Sequence, residues 1–289
     1  MQLLGYENFI FKNLYENKMV TPGNTAYPDF GWCIIMAGGP GSGKGYNIDN
    51  KLLVQGKHFD VDKFKTLFVR LQEKITGQKQ YDLNKSEDTA RLHGKLKEKG
   101  FKNKEREYFF NSLDNQERLP NIIFDITAKD PADIQEIVNF IQKNKTYYKV
   151  ALVWVAINRS VAIYNNFNPK RGRIVPEDIF HDIHNSVNGN MLNLITTYRD
   201  YKIDEFWCIK NSTNSILEMK YNDKDIPTGI PINNVLNISN ATSGDIAEIK
   251  ALIGLFEPNP KKPVIYMSFE EIEKIPRKDQ RNFINFYKK

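Results

Sequence analysis

The segment CIIMAGGPGSGKG, Cys33 to Gly45, constrains this chain more than any other. It opens in an apolar, β-branched run, Trp32–Ala37, with the length and character of a strand buried on both faces. Gly38, Gly39, Gly41 and Gly43 follow at once, then Lys44. Glycines in this density allow a tight turn whose backbone N–H groups converge on an anion, and a lysine at its end supplies a mobile cation for outer phosphates. The spacing G-x-x-x-x-G-K is met in full. The expectation is a phosphate-binding loop in which Gly38, Gly39, Pro40, Gly41, Ser42, Gly43, Lys44, Gly45 and Tyr46 contact a nucleotide. Most such loops place Ser or Thr after the lysine to hold magnesium; here Gly45 and then Tyr46 follow. A phenol is a poor magnesium ligand, which leaves Ser42, water, or carboxylates on neighbouring strands for that task.

Four more short apolar runs alternate with helical or loop stretches: His58–Val61, Asn121–Ile126, Lys149–Ile157 and Glu205–Ile209. This order predicts an α/β fold, a mainly parallel sheet sandwiched by helices. Ala132–Lys143 reads as a helix, and Glu177–Tyr198 as another, opened by Pro176 at a first-turn position. The lysine-rich stretch Gln72–Glu117 reads as an exposed helical insertion over the sheet. From Met219 the chain is punctuated by Pro, Gly and Asn, which suggests strands and turns. A helix is expected near Gly244–Phe256 and a last amphipathic one near Phe269–Tyr287. The expected division is residues 1–30 as an N-terminal extension, 31–218 as the nucleotide-binding domain and 219–289 as an accessory region.

Ligands of parallel α/β sheets sit beyond the carboxyl ends of the strands, where three acids fall. Asp60 and Asp62 end the second run and Asp125 ends the third. If HFDVD is extended throughout, alternation puts Asp60 and Asp62 on one side of it; a helix-capping pair is the alternative. Phosphoryl transfer to an alcohol needs one acid to take the hydroxyl proton and one to support the metal. Beyond the fourth run lies Arg159, and the following polar loop carries Lys170, Arg171 and Arg173, placed to close over a transferring phosphate.

The net charge of +6 favours an anionic partner but is too small to establish nucleic-acid binding. The longest apolar run, Val150–Ile157, is far short of the roughly 18 residues of a membrane span. No secretory signal is visible. Cys33 and Cys208 sit in strand-like runs and read as reduced core thiols, which points to a reducing, cytoplasmic setting. The oligomeric state is not legible.

Taken in order, these segments resemble the zeta-toxin group of P-loop kinases, relatives of the adenylate and polynucleotide kinases, from about Trp32 to Ile209. GGPGSGKG resembles the phosphate loop, and DVDKFK the Asp-x-Asp segment whose second acid, here Asp62, is the catalytic base. IIFDIT resembles the strand that brings an acid and a threonine, here Asp125 and Thr127, to the acceptor. Arg159 and Arg173 resemble two phosphate-binding arginines. The resemblance implies a kinase using ATP or GTP with Mg2+ on a hydroxyl of a nucleotide, nucleotide sugar or related molecule. Lys44, Asp62, Arg159 and Arg173 would be catalytic, Asp60, Asp125, Thr127 and Arg171 would meet substrate, and Asp125 and Ser42 would hold metal. Tyr46 after Lys44-Gly45, Asp at position 125 and the long insertion depart from the family pattern. Two alternatives stay open: a kinase of nucleic-acid ends or modified bases, and a nucleotide-binding module that transfers nothing.

Overall fold

The computed structural model describes residues 31–50, 52–53, 56–114, 121–144, 148–167, 174–211, 216–218, 220–221, 227–229, 232–233, 235–253 and 269–274. Within them, β1 (Trp32–Ala37), β3 (Gly56–Asp60), β4 (Asn121–Asp125), β5 (Lys149–Ala156), β6 (Glu205–Lys210) and β11 (Leu236–Asn237) form a six-stranded sheet in the order β11-β6-β5-β1-β4-β3. All neighbours are parallel except β11, which runs antiparallel to β6. The pair Leu52–Leu53 (β2) belongs to a separate small sheet with β7 (Ile216–Glu218) and β10 (Ile232–Asn233). Lys220–Tyr221 (β8) pairs with Pro227–Gly229 (β9). The fold is thus the α/β class expected, a mostly parallel sheet flanked by helices.

Strand alternation explains why the central runs are apolar at every position. Cys33, Ile35 and Ala37 pack into one core, with Phe124, Leu152 and Trp154 beside them. Trp32, Ile34 and Met36 pack into the opposite one, with Ile123, Val153 and Trp207. A strand covered on both faces has no solvated side on which polar residues are tolerated.

The helices are α1 (Lys44–Asn50), α2 (Val61–Thr76), α3 (Ser86–Glu98), α4 (Phe101–Asp114), α5 (Pro131–Asn144), α6 (Arg159–Asn166), α7 (Glu177–Thr197), α8 (Ser243–Ile253) and α9 (Phe269–Glu273). The rest of the two expected C-terminal helices lies outside the described residues. Among the described residues no helix is long and apolar enough to cross a membrane.

Three local expectations need correction. The second run turns helical one residue early: β3 ends at Asp60 and Val61 opens α2. Asp60 is the N-cap, its carboxylate accepting from the Asp62 and Lys63 N–H groups at 2.8 and 3.1 Å. Asp60 and Asp62 are therefore a cap and a first-turn residue rather than two alternating strand positions. Two orphan helix N–H groups gain a partner this way, which outweighs one more strand residue. Pro176 is the N-cap of α7, its ψ of 151° still extended, and not a first-turn residue. The lysine-rich insertion is helical, as α3 and α4, but it is not merely an exposed layer. Leu92, Leu96, Phe101, Phe109 and Leu113 are buried in the main core, and Phe109 meets Phe59 and Phe124 at ring-centroid distances of 5.0 and 5.3 Å. Its many lysines occupy the outward face and mask that apolar stripe in the composition. Residues 235–253 also reach the main fold: β11 extends the sheet, and Ile249 and Ile253 of α8 are buried in the core.

Candidate active site

The chain leaves β1 into the glycine turn and re-enters helix at Lys44. Two of the glycines are sterically required. Gly41 has φ of 73°, and a Cβ there would meet the Ala162 carbonyl oxygen at 2.0 Å; Gly43 has φ of 88°, and a Cβ would meet Asn211 Nδ2 at 2.6 Å. Both contacts come from elements that brace the loop. Asn165 Nδ2 on α6 donates to the Gly41 carbonyl (2.9 Å), and Asn211 Nδ2, just past β6, donates to the Ser42 carbonyl (2.6 Å). Gly39 abuts α7, where an added Cβ would meet His184 Cα at 3.4 Å.

His184 belongs to a buried polar cluster behind the loop. The Trp154 indole N–H donates to Asn188 Oδ1 (3.3 Å), which leaves Asn188 Nδ2 facing His184 Nε2 at 3.1 Å. The Ile253 carbonyl lies 3.3 Å from the same nitrogen. Burial pushes the His184 pKa down to about 4, opposed by the Ile253 carbonyl and reinforced by Arg159 and His181.

Lys44 turns back over the loop. Its ammonium donates to the Gly38 carbonyl (2.7 Å) and stands 3.7 Å from Asp125 Oδ1. Asp125 ends β4 in register with Met36 of β1 on one side and with Asp60 of β3 on the other. Burial pushes the Asp125 pKa up to about 7, with Asp60 and Asp62 adding to the shift and Lys44 and Lys63 opposing it. Asp62 is half exposed and sits 3.7 Å from Lys65. Thr127 follows β4, and its carbonyl accepts from the Gly38 N–H at 3.4 Å. Ala128, beside it, is buried with φ of 56°, an uncommon conformation for a residue with a Cβ.

These groups open into one cleft of about 1840 Å³. The loop from Gly39 to Tyr46 lines it, together with Asp60, Asp62, Asp125 and Thr127. Single ligand pockets run to about 300–1,000 Å³, so the space exceeds what one nucleotide needs. Arg70 of α2, His93 of α3 and Lys129 border the same cleft and were not singled out from the sequence. For Arg70 the signal is helical spacing: Asp62, Thr66 and Arg70 recur every fourth residue along α2.

Oxygen donors for a cation are at hand. Ser42 Oγ is buried without a hydrogen-bond partner among the described residues, 2.7 Å from where a Cβ on Gly38 would sit. Asp125 and Asp60 together with His58 present ligand atoms within 4.8 Å of one another. Hydroxyl and carboxylate oxygens suit a hard divalent ion such as Mg2+. His58, two residues before Asp60 on the same strand face, is a donor that the sequence reading passed over.

The arginines divide. Arg159 is the first residue of α6, and its Nη2 lies 2.7 Å from His181 Nδ1 on α7; it is not among the residues that line the cleft. Arg171 and Arg173, with Lys170, lie outside the described residues.

No protein-family model matches the chain, and no curated protein matches it. Solved structures do. A chain from the PezAT chromosomal toxin–antitoxin system of Streptococcus pneumoniae superimposes with a TM-score of 0.51 at 11% identity, covering 97% of this chain and 94% of that one. The AvrRxo1-ORF1:-ORF2 complex with ATP gives 0.52 at 12% identity, covering 92% of this chain and 72% of that one. The same complex with sulphate ions gives 0.52 at 12%, covering 99% and 83%. At such identities the likeness is one of fold alone: a mostly parallel six-stranded sheet flanked by helices, the α/β class to which the apolar runs already pointed.

Proposed function

We propose that the chain is a phosphotransferase that moves the γ-phosphoryl group of ATP or GTP to a hydroxyl of a nucleotide, nucleotide sugar or related small molecule. The observation that carries this reading is the convergence of Lys44, Asp125, Asp60 and Asp62 beside the glycine loop in one cleft large enough for two ligands. The fold shared with a complex crystallised with ATP supports it.

In this reading the loop amides and Lys44 hold the β- and γ-phosphates. Asp62, at the mouth of the cleft, accepts the acceptor's hydroxyl proton as its oxygen bonds to the γ-phosphorus; the bond to the bridging oxygen breaks and the nucleoside diphosphate leaves. Asp125 and Ser42 would hold Mg2+, whose chemistry is to neutralise charge on the phosphate oxygens. Thr127 and Asp60 border the acceptor side. Arg159 enters this scheme only by leaving His181, and Arg173 and Arg171 would complete the charge around the phosphate.

Purified protein incubated with γ-labelled ATP or GTP and Mg2+, against nucleosides, nucleotides, nucleotide sugars and 5′-hydroxyl oligonucleotides, should label one acceptor class. Transfer to none of them while ATP binds tightly would favour a nucleotide-binding module without transfer, the reading to which the Arg159–His181 contact leans.

A further inference from the structure

A second property of the phosphate loop concerns the residue that breaks its usual pattern. Tyr46 is 60% exposed. Of the three exposed large apolar side chains among the described residues, Tyr46, Ile75 and Tyr108, it alone borders the cleft. Its backbone is held in α1, where its carbonyl accepts from Asn50 Nδ2 at 3.0 Å, while its ring makes no ring, cation or hydrogen-bond contact with any described residue. Nothing crowds the space next to it either: a Cβ on Gly45 would meet no atom within 4 Å. An aromatic ring of this size normally buries much of its surface against something. Here it is fixed at its base, open on its face and two residues from the lysine that reaches for phosphate.

We propose that Tyr46 is the platform on which the base of the bound nucleotide stacks. The proposal rests on the nucleotide reading above and adds to it the part of the ligand beyond the phosphates. A loop built from glycine amides and one lysine grips any polyphosphate and cannot tell a nucleoside triphosphate from the inorganic ion. An aromatic face at its rim supplies that distinction, because a purine has a ring to lay on it and inorganic triphosphate has none. Stacking is tolerant of base identity, so the platform serves ATP and GTP alike.

The test is calorimetric binding of ATP, GTP and inorganic triphosphate to the full chain and to Tyr46→Ala, Tyr46→Phe and Lys44→Ala. Tyr46→Ala should weaken ATP and GTP about tenfold, in line with the loss of one base–aromatic stack, and leave triphosphate within about twofold. Tyr46→Phe should keep wild-type affinity for all three. Unchanged ATP affinity in Tyr46→Ala, or an equal loss for triphosphate, overturns the stacking role while leaving the phosphate loop intact. Wild-type protein that binds triphosphate no better than Lys44→Ala does would instead remove the nucleotide reading, and the proposal with it.

Discussion

Gly41 and Ala162 lie so close that a methyl group on the glycine would sit 2.0 Å from the alanine carbonyl oxygen. The glycine loop is thus pressed against the first helix after β5, and its shape depends on a partner far along the chain. Gly41→Ala should fold poorly or bind triphosphate at least about tenfold more weakly, since a Cβ at positive φ alone costs roughly 1–2 kcal/mol before the clash is counted. Calorimetric titration beside a thermal melt separates the two outcomes; wild-type affinity in a stable Gly41→Ala protein would contradict this packing.

Asp60 and Asp62 should separate cleanly by mutation. Asp62→Asn should cut transfer between roughly a hundredfold and ten-thousandfold, the range for a lost general base, with ATP affinity little changed. Asp60→Ala removes a helix cap and should lower stability by about 1 kcal/mol. Denaturant unfolding and turnover on both variants check the pair, and an Asp62→Asn protein with wild-type turnover would falsify the assignment of the base.

His184 should make the protein acid-sensitive. Its pKa is held at about 4 in the fold against an ordinary 6.5, so the folded state binds fewer protons than the unfolded one between those values. Stability from keeping it neutral is complete above pH 6.5 and is lost as pH falls towards 4, by roughly 3 kcal/mol. In His184→Gln this contribution is absent. The stability difference between wild type and variant should therefore shrink on going from pH 7 to pH 4.5 in parallel melts, and a constant difference would show that the histidine takes up its proton equally in the folded and unfolded states.

Phe109 tests whether α4 belongs to the core. It is fully buried against Phe59 and Phe124, so Phe109→Ala should cost about 3–5 kcal/mol. Urea unfolding measures this directly. A cost below about 1 kcal/mol is what a surface helix would give.

Much of the architecture was legible because it is written in short windows. Trp32–Ala37, Val150–Ala156 and Phe206–Ile209 are apolar at successive positions since both sheet faces are covered, and that pattern shows in the sequence. β3 ends at Asp60, one residue before the end of the run His58–Val61, and the run alone does not show this because Asp60 suits a strand end and a helix cap equally well until its neighbours' N–H groups have positions. Leu92, Phe101 and Phe109 were hidden among lysines because only an assembled helix separates a buried face from a wet one.

The sequence by itself determined the glycine loop, its lysine and the order of strands that carry acids to one edge, because each is a local pattern of residue type and spacing. Tertiary structure alone decided which distant residues complete the site. Asn165 and Asn211 brace loop carbonyls from 124 and 169 positions away. Strand register sets Asp125 beside Asp60, and helix packing turns Arg159 to His181. These contacts depend on how strands and helices lie in space, and no stretch of sequence a few residues long contains that geometry.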